Sequence, residues 1–193
     1  MKVLIVIDVQ NDFIDGSLGT PEAKAIVPNV VKYIEEHADP NTLVIFTKDT
    51  HEENYMDTLE GKNLPVPHCI KGTRGHSIAD AILGAYIISH KNYKDPYTVL
   101  PFLEEDIVKI EKPTFGSIEL QNMLYQMDEI EKIGEITLMG LCTSICVMSN
   151  AILAKATLPE VTVNVVSECC ACVTPESHKN ALEAMKMCQI NII

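Results

Sequence analysis

Residues 2–7 read KVLIVI, in which Lys2 precedes a continuous run of apolar and mostly β-branched residues that ends at Asp8. A run without polar alternation is typical of a strand buried on both faces, as in a parallel sheet. Similar runs follow at residues 43–46, 107–110, 136–139, 161–166 and 190–193. Because helical stretches separate them, the pattern predicts an α/β fold with a doubly wound, mainly parallel six-stranded sheet and helices on both faces.

The intervening stretches predict helices at residues 24–37, 76–84, 117–126, 144–157 and 175–187. Thr174-Pro175 places a capping residue and then a proline at the start of the last helix. Residues 49–75 contain several prolines and glycines and show little periodicity, so we predict a loop there. Loops of that length in a compact domain are usually functional. The 193 residues suit a single domain, residues 1–193.

The composition excludes several classes of protein. A hydrophobic fraction of 47% is too high for a disordered chain. No apolar run approaches the roughly 20 residues of a membrane-spanning helix. The formal net charge of −12 repels nucleic acid and anionic lipid, so we expect neither as a partner. The sequence leaves open whether the chain forms a homo-oligomer.

Seven cysteines accompany an N-terminal apolar run that is too short for a secretion signal. We therefore predict a cytoplasmic protein whose thiols are reduced. Cys169, Cys170 and Cys172 superficially resemble a zinc-binding tract, but no second cysteine pair has the spacing of a zinc ribbon. These three cysteines are predicted to pack in the structure without a chemical role.

Chemically reactive side chains follow four successive predicted strands. Asp8 follows the first, Asp49 and His51 follow the second, Lys112 follows the third, and Cys146 lies a few residues beyond the fourth. Ligands of open α/β sheets bind outside the carboxyl ends of the strands. We therefore expect these residues to converge at one edge of the sheet.

Cys146, Lys112 and Asp8 form a sufficient set for acyl transfer through a thioester. A helix N-terminus and a lysine ammonium both lower the pKa of a nearby thiol, which favours the nucleophilic thiolate. A carboxylate can take the thiol proton and later deliver it to a leaving amine. The spacing after the second strand adds a D-x-H pair, a carboxylate and a second histidine, a pattern that suits a divalent metal such as zinc, iron or manganese.

Three segments follow the predicted strands in order: IDVQNDF at residues 7–13, IEKPTF at 110–115 and GLCTSICV at 140–147. With these segments the chain resembles the isochorismatase-like cysteine hydrolases, and within them the nicotinamidases. The resemblance implies a catalytic triad of Asp8, Lys112 and Cys146, and the same six-stranded fold. The sequence departs from many relatives at Ser144, where they carry an aspartate.

The resemblance also implies the metal ligands, which are Asp49, His51, Glu60 and His68. The spacing between Glu60 and His68 is one residue longer than the closest pattern, so Asp57 and His76 are the alternatives to Glu60 as the residue that completes the site. Isochorismatases proper lack such a site.

Phe13 and Phe115 each lie close in sequence to a triad residue, and we predict that they form walls for a flat substrate.

The tetrahedral intermediate of acyl transfer carries a negative charge on oxygen, and stabilising that charge needs preorganised hydrogen-bond donors. We assign one to the backbone N–H of Cys146, at a helix start. The resemblance implies a second, the N–H of Cys142, after a cis peptide bond between Leu141 and Cys142.

The implied reaction converts nicotinamide and water into nicotinate and ammonia, a step of NAD salvage. One alternative is a related amidase acting on a carbamoyl or ureido compound, for which Arg74 is the single arginine available to bind a substrate carboxylate. A second is an isochorismatase-type hydrolase, which needs neither the thiol nor the metal loop. A third is a catalytically silent binding protein, against which the intact triad argues.

Overall fold

The computed structural model describes residues 1–91 and 107–193. Its strands are β1 (Lys2–Ile7), β2 (Thr42–Asp49), β3 (Val108–Lys112), β4 (Glu135–Leu141), β5 (Thr162–Ala171) and β6 (Asn191–Ile192). Its α-helices are α1 (Asn11–Ile14), α2 (Pro21–His37), α3 (Leu59–Asn63), α4 (Asp80–Lys91), α5 (Ile118–Ile130), α6 (Met148–Thr157) and α7 (Pro175–Met187). The chain also has a 3₁₀ turn at Tyr55–Asp57 and a π-helical turn at Thr143–Val147.

The strands form one sheet in the order β3-β2-β1-β4-β5-β6, and the paired strands are parallel. Helices α2 and α4 pack together in one layer, and α5, α6 and α7 pack side by side in another. Strand β5 contacts both α2 and α6, so helices cover both faces of the sheet. The predicted doubly wound α/β fold is therefore confirmed.

The chain order reverses at the centre of this sheet. Strand β1 pairs with β2 on one side and with β4 on the other. Connections therefore leave β1 and β4 toward opposite edges, which opens a crevice beyond the carboxyl ends of these two strands. Asp8 follows β1 and Cys146 follows β4, so the topology brings both side chains to this crevice.

Several predicted boundaries were wrong. Strand β5 continues to Ala171, five residues beyond the prediction, because its end pairs with the last residues of β4 after a register shift. Residues 167–171 are polar or small, so a prediction based on runs of β-branched residues does not include them in the strand. The helix predicted at 76–84 lies at Asp80–Lys91, and the loop at 49–75 contains two short helical segments.

Gly140 fills a position in β4 that other residues cannot occupy. Its φ is +127°, a conformation that L side chains rarely adopt, and a Cβ there would collide with the carbonyl oxygen of Ile7. The glycine therefore allows β4 to approach β1 just before the chain enters the turn that carries Cys146.

Gly140→Ala should destabilise the fold by about 1–3 kcal/mol, the usual cost of a strained backbone position. Gly84→Ala is the matched control, because a Cβ at Gly84 in α4 meets no atom within 4 Å and alanine favours a helix. Urea unfolding of the two variants measures the difference. Equal unfolding midpoints would contradict this account of Gly140.

No helix among the described residues has both the length and the apolar character needed to cross a membrane.

Candidate active site

The three residues predicted to be catalytic meet at the edge of the sheet. Lys112 ends β3, and its Nζ lies 2.7 Å from Asp8 Oδ2 and 3.6 Å from Cys146 Sγ. The Asp8 carboxylate also interacts with the Cys146 thiol and raises the pKa of that thiol. All three side chains are buried. The structure thus brings a thiol, an ammonium and a carboxylate together, although Asp8 and Cys146 are 138 positions apart in the sequence.

Further contacts hold the charged pair in place. Thr47 Oγ1 donates a 2.7 Å hydrogen bond to Asp8 Oδ1, and Lys112 Nζ donates to the carbonyl oxygen of Thr114 at 2.9 Å. Asp8 itself has φ +48°, a left-handed conformation that aspartate adopts more readily than most residues. These contacts orient Asp8 and Lys112 toward the thiol before any substrate binds.

The pKa of the nucleophile differs from the expectation. Burial raises the pKa of the Cys146 thiol well above its usual value, and Asp8 raises it further. The Lys112 ammonium does lower the pKa, as predicted, but does not outweigh burial. Cys146 also lies within the π-helical turn before α6 rather than in the first turn of an α-helix. The resting nucleophile is therefore a thiol that needs a base at the moment of attack.

Asp8 is suited to accept the thiol proton, and Lys112 is suited to stabilise the negative charge that forms on the sulfur. Burial raises the pKa of Asp8, while the Lys112 charge lowers it, so the carboxylate is a better proton acceptor than an exposed aspartate. Burial disfavours the charged form of Lys112, but Asp8, Cys146 and Asp49 together raise the pKa of Lys112 above its usual range. The lysine remains a fixed positive charge beside the sulfur.

A second cluster lies beside the triad. Four side chains place one ligand atom each within 4.8 Å of one another: Asp49, His51, Glu60 and His68. Asp49 Oδ2 lies 3.0 Å from His51 Nε2 and 3.3 Å from His68 Nε2. Glu60 Oε1 approaches the same two nitrogens at 3.6 and 3.9 Å. The structure thus brings together the four residues predicted to bind metal.

The contacts of His68 indicate that a cation fits this cluster. Its Nδ1 lies 2.8 Å from the carbonyl oxygen of Val66, so that nitrogen carries a proton. In a neutral imidazole, Nε2 then presents a lone pair, and it faces an Asp49 oxygen at 3.3 Å. A buried site with two acceptors facing each other is stabilised by a cation between them. Two imidazoles and two carboxylates are donors that zinc, iron and manganese accept.

Asp49 stays ionised in this setting. Burial raises its pKa, but the contacts with the His51 and His68 rings and the Lys112 charge together hold the pKa below its usual range. Lys112 Nζ lies 3.6 Å from Asp49 Oδ1, so the lysine joins the cluster to the triad.

Asp57 and His76, the two predicted alternatives to Glu60, are not part of this cluster. Asp57 belongs to the 3₁₀ turn and is not in the group of four. His76 lies 2.8 Å from Thr50 Oγ1 and 3.2 Å from Lys48 Nζ through its two ring nitrogens. Glu60 reaches the group because the loop folds into helix α3, which begins with a hydrogen bond from Gly61 N–H to the Thr58 side chain.

His51→Ala should lower the metal content of the purified protein more than about ten-fold, because losing a ligand costs at least as much affinity as losing a residue that orients one. His76→Ala is the matched control, since it removes a buried imidazole close by that is outside the group. Elemental analysis after dialysis measures metal per chain, expected to be one divalent ion in the wild type and in the control. Full occupancy in His51→Ala would refute the ligand assignment.

One cavity connects the thiol to this cluster. Its volume is about 410 Å³, and its lining includes Cys146, Asp49 and His68. Phe13 and Phe115, predicted to be substrate walls, both line it, and the Phe13 ring lies 5.5 Å from the His68 ring. A cavity of this volume with apolar walls and a few convergent polar groups suits a small, flat organic molecule.

The turn before the nucleophile has the predicted cis peptide bond between Leu141 and Cys142. The carbonyl oxygen of Cys142 accepts hydrogen bonds from the N–H groups of Ile145 and Val147, both at 3.1 Å. The assignment of the Cys142 and Cys146 N–H groups as oxyanion donors stays a prediction.

Sequence reasoning missed Gln10, which is fully buried. Its side chain accepts from Asp49 N–H at 2.7 Å and donates to the carbonyl oxygens of Asp49 and His76 at 2.8 and 2.9 Å. Gln10 therefore fixes the main chain of a predicted metal ligand. Gln10 belongs to the segment at residues 7–13, which carries part of the family resemblance, and this position could have indicated a role in the site.

Asn150 was also missed. Its side chain donates to the carbonyl oxygens of Cys146 and Phe115 at 2.8 and 3.0 Å and accepts from Ser117 N–H at 3.0 Å. It thereby ties the turn of the nucleophile to the segment that follows β3. An asparagine inside a mostly apolar predicted helix was the signal that could have revealed it.

Comparison with known proteins identifies relatives over the whole chain. A family model described as the isochorismatase domain matches residues 2–193. The nicotinamidase/pyrazinamidase of Mycobacterium tuberculosis (strain ATCC 25618 / H37Rv) is 28% identical over 197 residues, covering 100% of this chain and 98% of that protein.

Solved structures of similar proteins share the fold. The pyrazinamidase/nicotinamidase from Streptococcus mutans UA159 has a TM-score of 0.80 at 28% identity and covers 100% of both chains. The pyrazinamidase of Pyrococcus horikoshii in complex with zinc has a TM-score of 0.75 at 26% identity and covers 100% of this chain and 98% of that one.

Proposed function

The chain belongs to the isochorismatase family, and from that premise we propose that it is a metal-dependent nicotinamidase. It is a hydrolase that acts on an amide bond, as the names of its relatives indicate. The proposed reaction converts nicotinamide and water into nicotinate and ammonia, a step of NAD salvage. The observation that carries the proposal is the single cavity that joins Cys146 to the cluster around Asp49 and His68.

The first half of the reaction forms a thioester. Asp8 accepts the proton of the Cys146 thiol while Sγ bonds to the amide carbon of the substrate. Lys112 stabilises the charge that develops on sulfur, because its Nζ is 3.6 Å away. The C–N bond then breaks, and the proton held by Asp8 passes to the leaving nitrogen, which departs as ammonia.

The second half hydrolyses the thioester. Asp8 takes a proton from a water molecule, whose oxygen bonds to the acyl carbon. The C–S bond breaks, the proton held by Asp8 returns to the Cys146 sulfur, and nicotinic acid leaves and ionises to nicotinate in water. In both halves the N–H groups of Cys142 and Cys146 would stabilise the negative oxygen of the tetrahedral intermediate.

The metal cluster would determine which amide binds. Asp49, His51, Glu60 and His68 would hold a divalent ion, and zinc is the first candidate because a similar pyrazinamidase was solved with it. When bound, the ion supplies a Lewis-acidic position that a pyridine nitrogen can occupy. Phe13 and Phe115 would flank the ring, so that the amide lies near Cys146.

The lining of the cavity favours a neutral substrate. Asp49 and Glu60 supply carboxylates, and none of its described lining residues is an arginine or lysine. A carbamoyl or ureido substrate with a carboxylate needs a cationic side chain in addition to the metal site, and Arg74 does not line the cavity among the described residues. The structure therefore supports nicotinamide better than a carbamoyl compound.

Ammonia release from a panel of amides tests the proposal. Nicotinamide should be turned over, and benzamide, which carries a C–H in place of the ring nitrogen, should have a kcat/KM at least about 100-fold lower. An N-carbamoyl amino acid should release no ammonia. Equal rates for nicotinamide and benzamide would remove the role of the ring nitrogen, and preference for the carbamoyl compound would overturn the proposed substrate.

A further inference from the structure

Two cysteines follow the ends of neighbouring strands. In the pairing of β4 with β5, Gly140 aligns with Cys170 and Leu141 aligns with Ala171. Cys142 and Cys172 are the next residues along these two strands. Paired strands lie about 4.8 Å apart, and the Cα atoms of a disulfide are usually about 4.4–6.8 Å apart. The register therefore holds Leu141 and Ala171, the residues directly before the two cysteines, within the separation that a disulfide needs.

The side chains of the two cysteines also meet. The Cys172 sulfur is close enough to the Cys142 thiol to raise the pKa of that thiol. Both residues line the cavity that contains Cys146, so a small molecule in the cavity can reach them. Ser144 Oγ lies 2.9 Å from Cys172 Sγ, which adds a contact to the same sulfur from the turn of the nucleophile.

We propose that Cys142 and Cys172 form an oxidation site in which a hydroperoxide converts the two thiols into a disulfide and thereby switches the hydrolase off. The Cys172 sulfur attacks hydrogen peroxide, its O–O bond breaks, and the sulfur becomes a sulfenic acid as one water forms. The Cys142 thiol then displaces the hydroxyl group, and the S–S bond forms with loss of a second water. Two thiols are oxidised and one peroxide is reduced.

The surroundings of the three cysteines that line the cavity, Cys142, Cys146 and Cys172, favour first attack on peroxide by Cys172. Burial raises the pKa of Cys172, but hydrogen bonds from Ser144, Ser177 and backbone groups outweigh it, so the pKa is lowered. Burial raises the pKa of Cys142 to about 12 and that of Cys146 well above its usual value. Since the thiolate is the form that reacts with peroxide, Cys172 should react first and Cys146 more slowly.

The disulfide would act on the catalytic turn directly. Cys142 begins that turn, and its N–H is the second proposed oxyanion donor. Fixing its side chain to β5 would displace that donor and narrow the cavity beside Cys146. Disulfides of proteins in reducing compartments are usually transient and redox-sensing, which agrees with a switch.

Peptide mapping of the full-length protein treated with hydrogen peroxide tests this site. After alkylation and proteolysis without reductant, fragment ions should identify a bond between residues 142 and 172 that dithiothreitol reverses. Ammonia release from nicotinamide should fall at least about ten-fold and return with dithiothreitol, because small displacements of catalytic groups are costly. Cys172→Ser should lose the crosslink, and Cys188→Ser, at an exposed thiol, should keep it.

Three results would overturn the proposal. They are oxidation of Cys172 without a crosslink, a crosslink that involves Cys146 instead, and a Cys142–Cys172 bond that leaves turnover unchanged. Each variant is compared with its own untreated sample, so a change in basal activity does not affect the outcome. Should nicotinamide not be a substrate, the mapping still decides whether the oxidation site exists, and the two failures remain distinguishable.

Discussion

Cys146→Ala should reduce nicotinamide turnover by on the order of 10⁴-fold or more, because no other group can form the thioester. The side chain is 6% exposed and lies against Lys112 and Asp8, so the loss of one sulfur atom leaves the fold intact. Steady-state ammonia release measures the effect, and circular dichroism verifies folding.

Cys188→Ala provides the matched control for this substitution. Cys188 is an exposed thiol that follows helix α7, and it is not among the described residues that line the cavity. Its replacement should leave turnover within about two-fold of the wild type, as expected for surface substitutions. Turnover retained in Cys146→Ala would mean that the reaction does not pass through the thioester.

Asp8→Asn should lower turnover by about 10²- to 10⁴-fold, the usual contribution of a general base. Asparagine keeps the shape of the side chain but cannot accept the proton of the Cys146 thiol. Removing one partner of a buried ion pair costs roughly 3–5 kcal/mol, so thermal unfolding is measured alongside activity. Lys112 keeps two of its contacts, with Asp49 and with the Thr114 carbonyl oxygen.

Two comparisons separate chemistry from stability for this variant. Asp128→Asn makes the same change in an ion pair with an exposed lysine, Lys132, and should leave turnover unchanged. Asp8→Asn combined with Lys112→Ala should be little worse than the worse single variant, because residues that act as a unit are not additive. Losses that multiply in the double variant would show that the two residues act separately.

The sequence alone was sufficient to predict where the site lies. Buried runs such as residues 2–7 have one simple interpretation as parallel strands, and parallel strands bring their carboxyl ends to one edge. Asp8 and Lys112 could therefore be placed together without any knowledge of contacts. The four metal ligands after β2 were predicted from the family resemblance, and the longer spacing between Glu60 and His68 left Asp57 and His76 open as alternatives to Glu60.

Other features depend on contacts that no local pattern records. The pairing of Cys142 with Cys172 rests on the register between β4 and β5, and the sequence argument interpreted Cys172 as a packing residue. Gln10 acts through hydrogen bonds to main-chain atoms 39 and 66 positions away. The raised pKa of Cys146 follows from its burial, which outweighs the nearby ammonium. Burial and register emerge only when the chain is folded.

Trapping the acyl intermediate tests the central claim most directly. The protein is mixed with nicotinamide, quenched in acid within the first turnovers, and its peptides are analysed by mass spectrometry. We predict a nicotinoyl group on the peptide containing Cys146, assigned to that sulfur by fragmentation, and no such adduct in Cys146→Ala. Steady release of ammonia with an unmodified Cys146, or with the acyl group on another residue, would contradict the account.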